Sequence, residues 1–122
     1  MDKRKHKRWN LTKPLAIKDK QSDEYIGCVS NISTFGIGMI SKNQYNPDDH
    51  CQLKIDLSDE KFPIKDDIEI DAKSIWCKEE SSDRYMAGLK FADINFDIKR
   101  KIELIILHIG YTDKPLRHSR SI

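Results

Sequence analysis

The sequence predicts an all-β dominated fold, a six-stranded antiparallel β-barrel with a C-terminal α-helix. Two observations carry that reading. Cys51, Leu53, Ile55 and Leu57 fall at every second position; so do Ile68, Ile70, Ala72, Ser74 and Trp76, and Tyr85, Ala87, Leu89 and Phe91. A period of two marks a strand with one buried face, and strands with one polar face build antiparallel sheets. After Phe91 the period lengthens to three or four through Ile94, Ile98, Ile102, Ile105 or Ile106, and Ile109, the spacing of one helix face. Short strands that must bury one face, followed by a single amphipathic helix, fit a barrel closed by that helix.

The elements follow in order. Residues 12–18 read as a first strand entered near Pro14, since proline is tolerated where a strand begins. Tyr25 to Ile32 reads as the second, with Ile26, Cys28 and Ser30 on one face unless a bulge splits them. Ser33-Thr34-Phe35-Gly36 breaks the pattern, and Ile37 to Ile40 starts a third extended run. Asn43 to His50, interrupted by Pro47, is a loop. The three alternating runs supply strands four to six, separated by loops at Ser58–Pro63 and Glu79–Asp83. The helix is expected over residues 95–109. Asn95 is placed to cap it, Asp97 suits the positive end of its dipole, and Gly110 stops it. The predicted core holds Ile26, Leu53, Ile55, Ile70, Ala72, Leu89 and Phe91, with Ile98, Ile102 and Ile105 packed at one barrel opening.

A chain of 122 residues favours one domain. Its organisation is read as a basic arm over residues 1–10, a barrel with its helix over 11–110, and a flexible tail over 111–122. Charge is concentrated at the ends. Residues 1–8 carry five basic side chains against Asp2, while the 102 residues from 9 to 110 carry 14 basic and 18 acidic ones. A basic arm on a mildly acidic body implies an anionic partner met by the arm rather than a broad nucleic-acid footprint. No apolar stretch approaches the length of a membrane span. No apolar run follows the basic N-terminus as a secretory signal would require, so a cytoplasmic protein is expected, with no membrane partner.

Chemistry-bearing clusters are scarce. Cys28, Cys51 and Cys77 are widely spaced and form no C-x-x-C pair, so neither a disulfide framework nor a zinc site is expected. His6, His50, His108 and His118 are scattered. Asp66, Asp67, Glu69 and Asp71 follow a solvated strand face. There is no phosphate-binding G-x-x-x-x-G-K-[ST] and no H-E-x-x-H. With no nucleophile or general base in view, the expectation is a protein without enzymatic activity, metal or cofactor.

Two features remain. Arg4 and Arg8 stand four apart in Arg4-Lys5-His6-Lys7-Arg8, and Asn31-Ile32-Ser33-Thr34-Phe35-Gly36 is followed by Ile37-Gly38. Together they resemble the PilZ domain family, bacterial receptors for cyclic di-GMP. That family carries R-x-x-x-R before its first strand and [D/N]-x-S-x-x-G between its second and third. Arg4 and Arg8 match the first motif; Asn31, Ser33 and Gly36 match the second. Trp76 and the run Tyr85-Met86-Ala87-Gly88-Leu89-Lys90-Phe91 resemble the family's last hairpin, and the likeness spans about residues 3 to 109. Asn31 stands where aspartate is commoner, an allowed variant.

The resemblance implies a PilZ-type barrel that binds cyclic di-GMP through Arg4, Arg8, Asn31, Ser33, Gly36 and Gly38, with Lys5, Lys7 and Trp9 as additional candidate contacts. It implies a relay to a downstream protein partner and an output such as motility, biofilm or surface polysaccharide control. Two alternatives stand beside it. One is a nucleotide-blind module of the same fold that works only by docking a protein. The other is a nucleic-acid-binding barrel, against which the acidic body argues. From the residues alone, Asn31 and Ser33 also fit an Asx- or Ser-type turn, and Gly36 and Gly38 a place of close backbone approach.

Overall fold

A computed structural model describes residues 7–58 and 66–112. Seven strands and one helix follow in order: β1 Trp9–Asp19, β2 Tyr25–Ile32, β3 Gly36–Ser41, β4 His50–Ile55, β5 Ile68–Ser81, β6 Arg84–Phe91, α1 Phe96–Ile109 and β7 Gly110–Tyr111. Neighbours run in the order β2-β3-β6-β5-β4-β1-β7, and a further β2–β1 pairing closes the first six into a ring. Every pairing is antiparallel. Closure leaves no free edge among those six strands, which removes the usual template for edge-to-edge aggregation.

The alternating runs bury as expected. Cys51, Leu53, Ile55, Leu57, Ile68, Ile70, Ala72, Ala87, Leu89 and Phe91 line the core, joined by Ile17, Val29, Ile32, Ile37 and Met39. Every predicted core residue is buried except Ile98, which packs half-buried against the cluster; Ile102 and Ile105 are buried. The helix begins as expected. Asn95 Oδ1 accepts from the Ile98 N–H at 2.8 Å, replacing a bond that the first turn cannot make internally. It ends by passing directly into β7, with the Gly110 N–H donating to the Ile106 carbonyl. Gly110 is needed for proximity: a Cβ there would lie 2.6 Å from the Ile106 oxygen.

Four local readings change. β1 starts at Trp9, three residues earlier than expected, and Pro14 lies inside a register shift between Asn10 and Leu15. An irregular stretch tolerates a residue with no N–H as well as a strand entry does. A seventh strand exists because Tyr111, expected in the tail, pairs with Asn10. In β2, register shifts put Ile26, Val29 and Ile32 in the core and leave Cys28 half-buried. The β5–β6 loop shrinks to Ser82-Asp83, since Ser81 still pairs with Arg84. Arg4, Lys5, most of the expected Ser58–Pro63 loop and residues 113–122 lie outside the described residues.

The cysteines are free; Cys51 is buried, while Cys28 and Cys77 are half-buried. Burial pushes the Cys51 thiol up to about 11, so it stays protonated and unreactive near neutral pH. Among the described residues no helix is long and apolar enough to cross a membrane.

Candidate functional site

Arg8 of the first sequence motif meets the second motif at the open end of the β1–β2 hairpin. Asn10 pairs with Asn31 and Trp9 with Ile32, so the residues entering β1 lie beside those leaving β2. Arg8 immediately precedes this pairing. Its Nη1 donates to Asn31 Oδ1 at 2.9 Å. The contact joins residues 23 apart in the chain, and it is partly buried, which shields it from water more than an exposed pair would be. Lys7 lies beside it, its ammonium 4.8 Å from the centre of the Trp9 ring, within cation–π range.

Asn31 to Gly36 forms the tight turn from β2 to β3. The Ser33 N–H donates to the Gly36 carbonyl at 2.9 Å, and Ser33 Oγ accepts from the Phe35 N–H at 3.1 Å. This is the local hydroxyl turn that serine favours. The Phe35 carbonyl accepts from the Phe91 N–H at 2.8 Å, tying the turn to the end of β6. Ser33 is therefore buried in the turn's own bonding, and Phe35 is exposed.

The glycines serve proximity and not a left-handed backbone, for among the described residues no glycine has positive φ. At Gly36 a Cβ would lie 2.3 Å from the Leu89 carbonyl oxygen, so glycine lets β3 approach β6. At Gly38 a Cβ would lie 2.6 Å from Asn31 Nδ2; the Asn31 carboxamide rests where that side chain would be. The same happens one strand further on. Gly38 pairs with Gly88, and the Trp76 ring lies over Gly88, with Nε1 2.2 Å from the site of a Cβ.

One row of cross-strand neighbours thus runs Asn10, Asn31, Gly38, Gly88, Trp76. It occupies the outer face, since the residues flanking it in β3 and β6 (Ile37, Met39, Ala87 and Leu89) point into the core. Of the nine residues nominated from sequence, the structure brings together Lys7, Arg8, Trp9, Asn31, Ser33, Gly36 and Gly38. Arg4 and Lys5 are outside the described residues. Trp76 and Gly88 were not nominated as site residues, although they end the same row. The available signal was a glycine in the middle of the β6 alternation, which packs nothing inward and so marks a close approach.

A cleft of about 720 Å³ lies at the other end of the β1–β2 hairpin, lined by Asp19, Glu24, Ile26, His50 and Asp71 among others. Its carboxylates suit no anion, and it shares no residue with the Arg8–Asn31 end.

Comparison with known proteins identifies the family. The model of the PilZ domain matches residues 2–108. The chain belongs to the PilZ domain family. Its fold matches the PilZ domain of YcgR from Escherichia coli, solved with cyclic di-GMP, at a TM-score of 0.68 and 12% identity, covering 98% of each chain. It matches the MrkH–cyclic di-GMP complex of K. pneumonia at 0.65 and 19% identity, covering 100% of this chain and 57% of that one. It matches the inhibitor of motility MotI/DgrA of Bacillus subtilis at 0.64 and 17% identity, covering 84% of this chain and 48% of that one. The chain thus spans about half the length of these last two. None of the curated proteins compared with it matches in sequence.

Proposed function

We propose that this PilZ domain is a receptor for cyclic di-GMP, held by Arg8 and Asn31 together with Arg4, Ser33, Gly36 and Gly38. The observation that carries the reading is the Arg8–Asn31 hydrogen bond. It joins the R-x-x-x-R arm to the N-x-S-x-x-G turn, so that two short motifs become one surface. Cyclic di-GMP presents two phosphodiesters and two guanine edges. A guanidinium can donate two parallel bonds to guanine O6 and N7 or to a phosphate, and its face can stack on a purine. Asn31 adds a carboxamide, which can both donate and accept. Lys7 adds positive charge beside it.

The ligand is bound and released unchanged. The segment that precedes β1 meets the ligand, and the occupied receptor passes the signal to a protein partner. Among the fold neighbours, one is an inhibitor of motility and another a cyclic di-GMP-dependent transcription regulator. Control of motility, biofilm or surface polysaccharide in the bacterial cytoplasm is the output this reading favours.

The test is titration calorimetry of the full chain with cyclic di-GMP, repeated with excess single- or double-stranded nucleic acid. Saturable binding that the nucleic acid does not displace is the expected result. Displacement would point to a nucleic-acid-binding barrel, and no heat at all to a nucleotide-blind docking module.

A further inference from the structure

We infer that the outer face of α1 docks a second copy of this chain, the two helices lying antiparallel so that Phe96 meets Leu107 and Arg100 meets Glu103 across a two-fold axis. The inference stands apart from the receptor reading, since α1 carries none of the residues assigned to the ligand.

Three features of the helix carry it. The first is exposure. α1 buries Ile102 and Ile105, with Ile98, Ile106 and Ile109 half-buried against the same core. On the far side Phe96 is 81% exposed and Leu107 74%, the two most exposed large hydrophobic residues among those described. Single exposed apolar side chains need no explanation, but these two share a face. The second is spacing. Phe96, Arg100, Glu103 and Leu107 are separated by four, three and four residues. That is the interval of a coiled-coil seam, and at 3.6 residues per turn it makes one stripe on the side of the helix away from the barrel. All four residues are exposed. The third is order. The stripe reads apolar, basic, acidic, apolar; turned end for end it reads apolar, acidic, basic, apolar. Two antiparallel copies therefore set Phe96 against Leu107 and Arg100 against Glu103, each contact made twice, as an isologous two-fold interface requires. A parallel pair would set Arg100 against Arg100 and Glu103 against Glu103.

The competing explanation is a solvated helix face on which Arg100 and Glu103 support the helix as an i,i+3 pair. They do not form that pair. α1 holds an ion pair between Lys101 and Asp97 at 3.4 Å, but among the described residues neither Arg100 nor Glu103 has an ion-pair partner. In the dimer the apolar ends of the stripe supply contact, and the central charges fix alignment more than strength. The helix has 14 residues, so it is about 21 Å long. One such pair makes a small interface, and the dimer is expected to form in the micromolar range.

Sedimentation equilibrium of the full chain without ligand tests this, in reducing buffer so that the free cysteines cannot link copies. The expected result is a monomer–dimer equilibrium. Arg100→Glu and Glu103→Arg each oppose like charges, and each is expected to weaken the dimer by roughly tenfold or more. The double variant R100E/E103R restores opposite charges and is expected to dimerise as the parent does. So is an equimolar mixture of the two single variants, whose unlike charges face one another only in the mixed dimer. Melting temperatures near the parent's serve as the folding control, because all four side chains are exposed; the double variant decides the matter should a single variant fail to fold. A parent that stays monomeric up to about 1 mM overturns the inference. So does a dimer undiminished in both single variants, or one that neither the double variant nor the mixture recovers.

Discussion

The two faces of β3 and β6 are built on opposite rules. Inward, Ile37, Met39, Ala87 and Leu89 are almost completely buried and pack with the rest of the barrel core. Outward, Gly36, Gly38 and Gly88 give up side chains altogether, at an entropic cost to the strands that carry them. The space they release is filled by β6 itself at Gly36, by Asn31 at Gly38 and by Trp76 at Gly88. Under the proposed receptor reading, the difference separates stability from recognition by a single strand's thickness. A change on the inner face should act on folding, and a change on the outer row should act on binding.

The largest expected effect is on the inner face. Leu89→Ala deletes a buried side chain that is only 2% exposed, and should cost about 2–5 kcal/mol of stability. Denaturant unfolding measures it. Ligand affinity of the folded fraction should stay near that of the parent. A large loss of affinity at temperatures where the variant remains folded would break the separation.

Gly36→Ala against Gly38→Ala sharpens it. The Gly36 Cβ would meet a backbone oxygen at 2.3 Å, whereas the Gly38 Cβ would meet the movable carboxamide of Asn31. Gly36→Ala should therefore lose about 1–3 kcal/mol of stability, as overpacking does. Gly38→Ala should melt close to the parent but bind ligand more weakly, because Asn31 is pushed off its place beside Arg8. Equal melting temperatures for the two would count against this reading of the glycines.

The smallest effect expected is of pH, and it belongs to the other end of the β1–β2 hairpin. Bonds from Ser22 and Gln21 hold the Asp19 carboxyl below its ordinary value; Lys54, which pairs with Asp23, does the same there. Ser58 lowers Asp56. A carboxylate whose folded pKa is depressed contributes stability above its unfolded pKa, and loses it as pH falls through the folded value. The melting temperature should thus fall slightly between about pH 5 and about pH 2. These groups lie at the surface, Asp23 exposed and Asp19 and Asp56 half-buried, so the effect is screened and modest. The Arg8–Asn31 bond has no group that titrates in that range. Hydrogen exchange at low pH should show the turn around Asp19–Glu24 loosening before the Asn31–Gly36 turn.

Much of this was legible in the residues. The alternations at Cys51–Leu57 and Tyr85–Phe91 became strands with the expected faces inward, and Asn95 capped the helix. Both motifs were visible as well, and Arg8, Asn31 and Ser33 lie at one end of one hairpin. The failures share a cause: pairing that is not periodic. Pro14 looked like an entry because a proline inside a register shift has the same local signature as one at a strand's start. β7 is only two residues long, too short to show any period. The bulge after Ser74 left the apparent alternation through Trp76 intact while reversing the face that Trp76 occupies. The glycines were read as places of close backbone approach, which holds at Gly36; at Gly38 it is the Asn31 side chain that takes the space.

The central claim is that Arg8, seated on Asn31, reads the shape of its ligand. Arg8→Lys keeps the charge and can still donate one bond to Asn31 Oδ1, but it loses the planar fork. Calorimetric titration of cyclic di-GMP into the parent and into Arg8→Lys at moderate salt, with melting temperatures as the folding control, tests the claim directly. The predicted result is affinity lower by roughly ten- to hundredfold, the scale of one bidentate contact, with an unchanged melting temperature. Equal affinities for the two chains would contradict it, and would leave the arm as a source of positive charge alone.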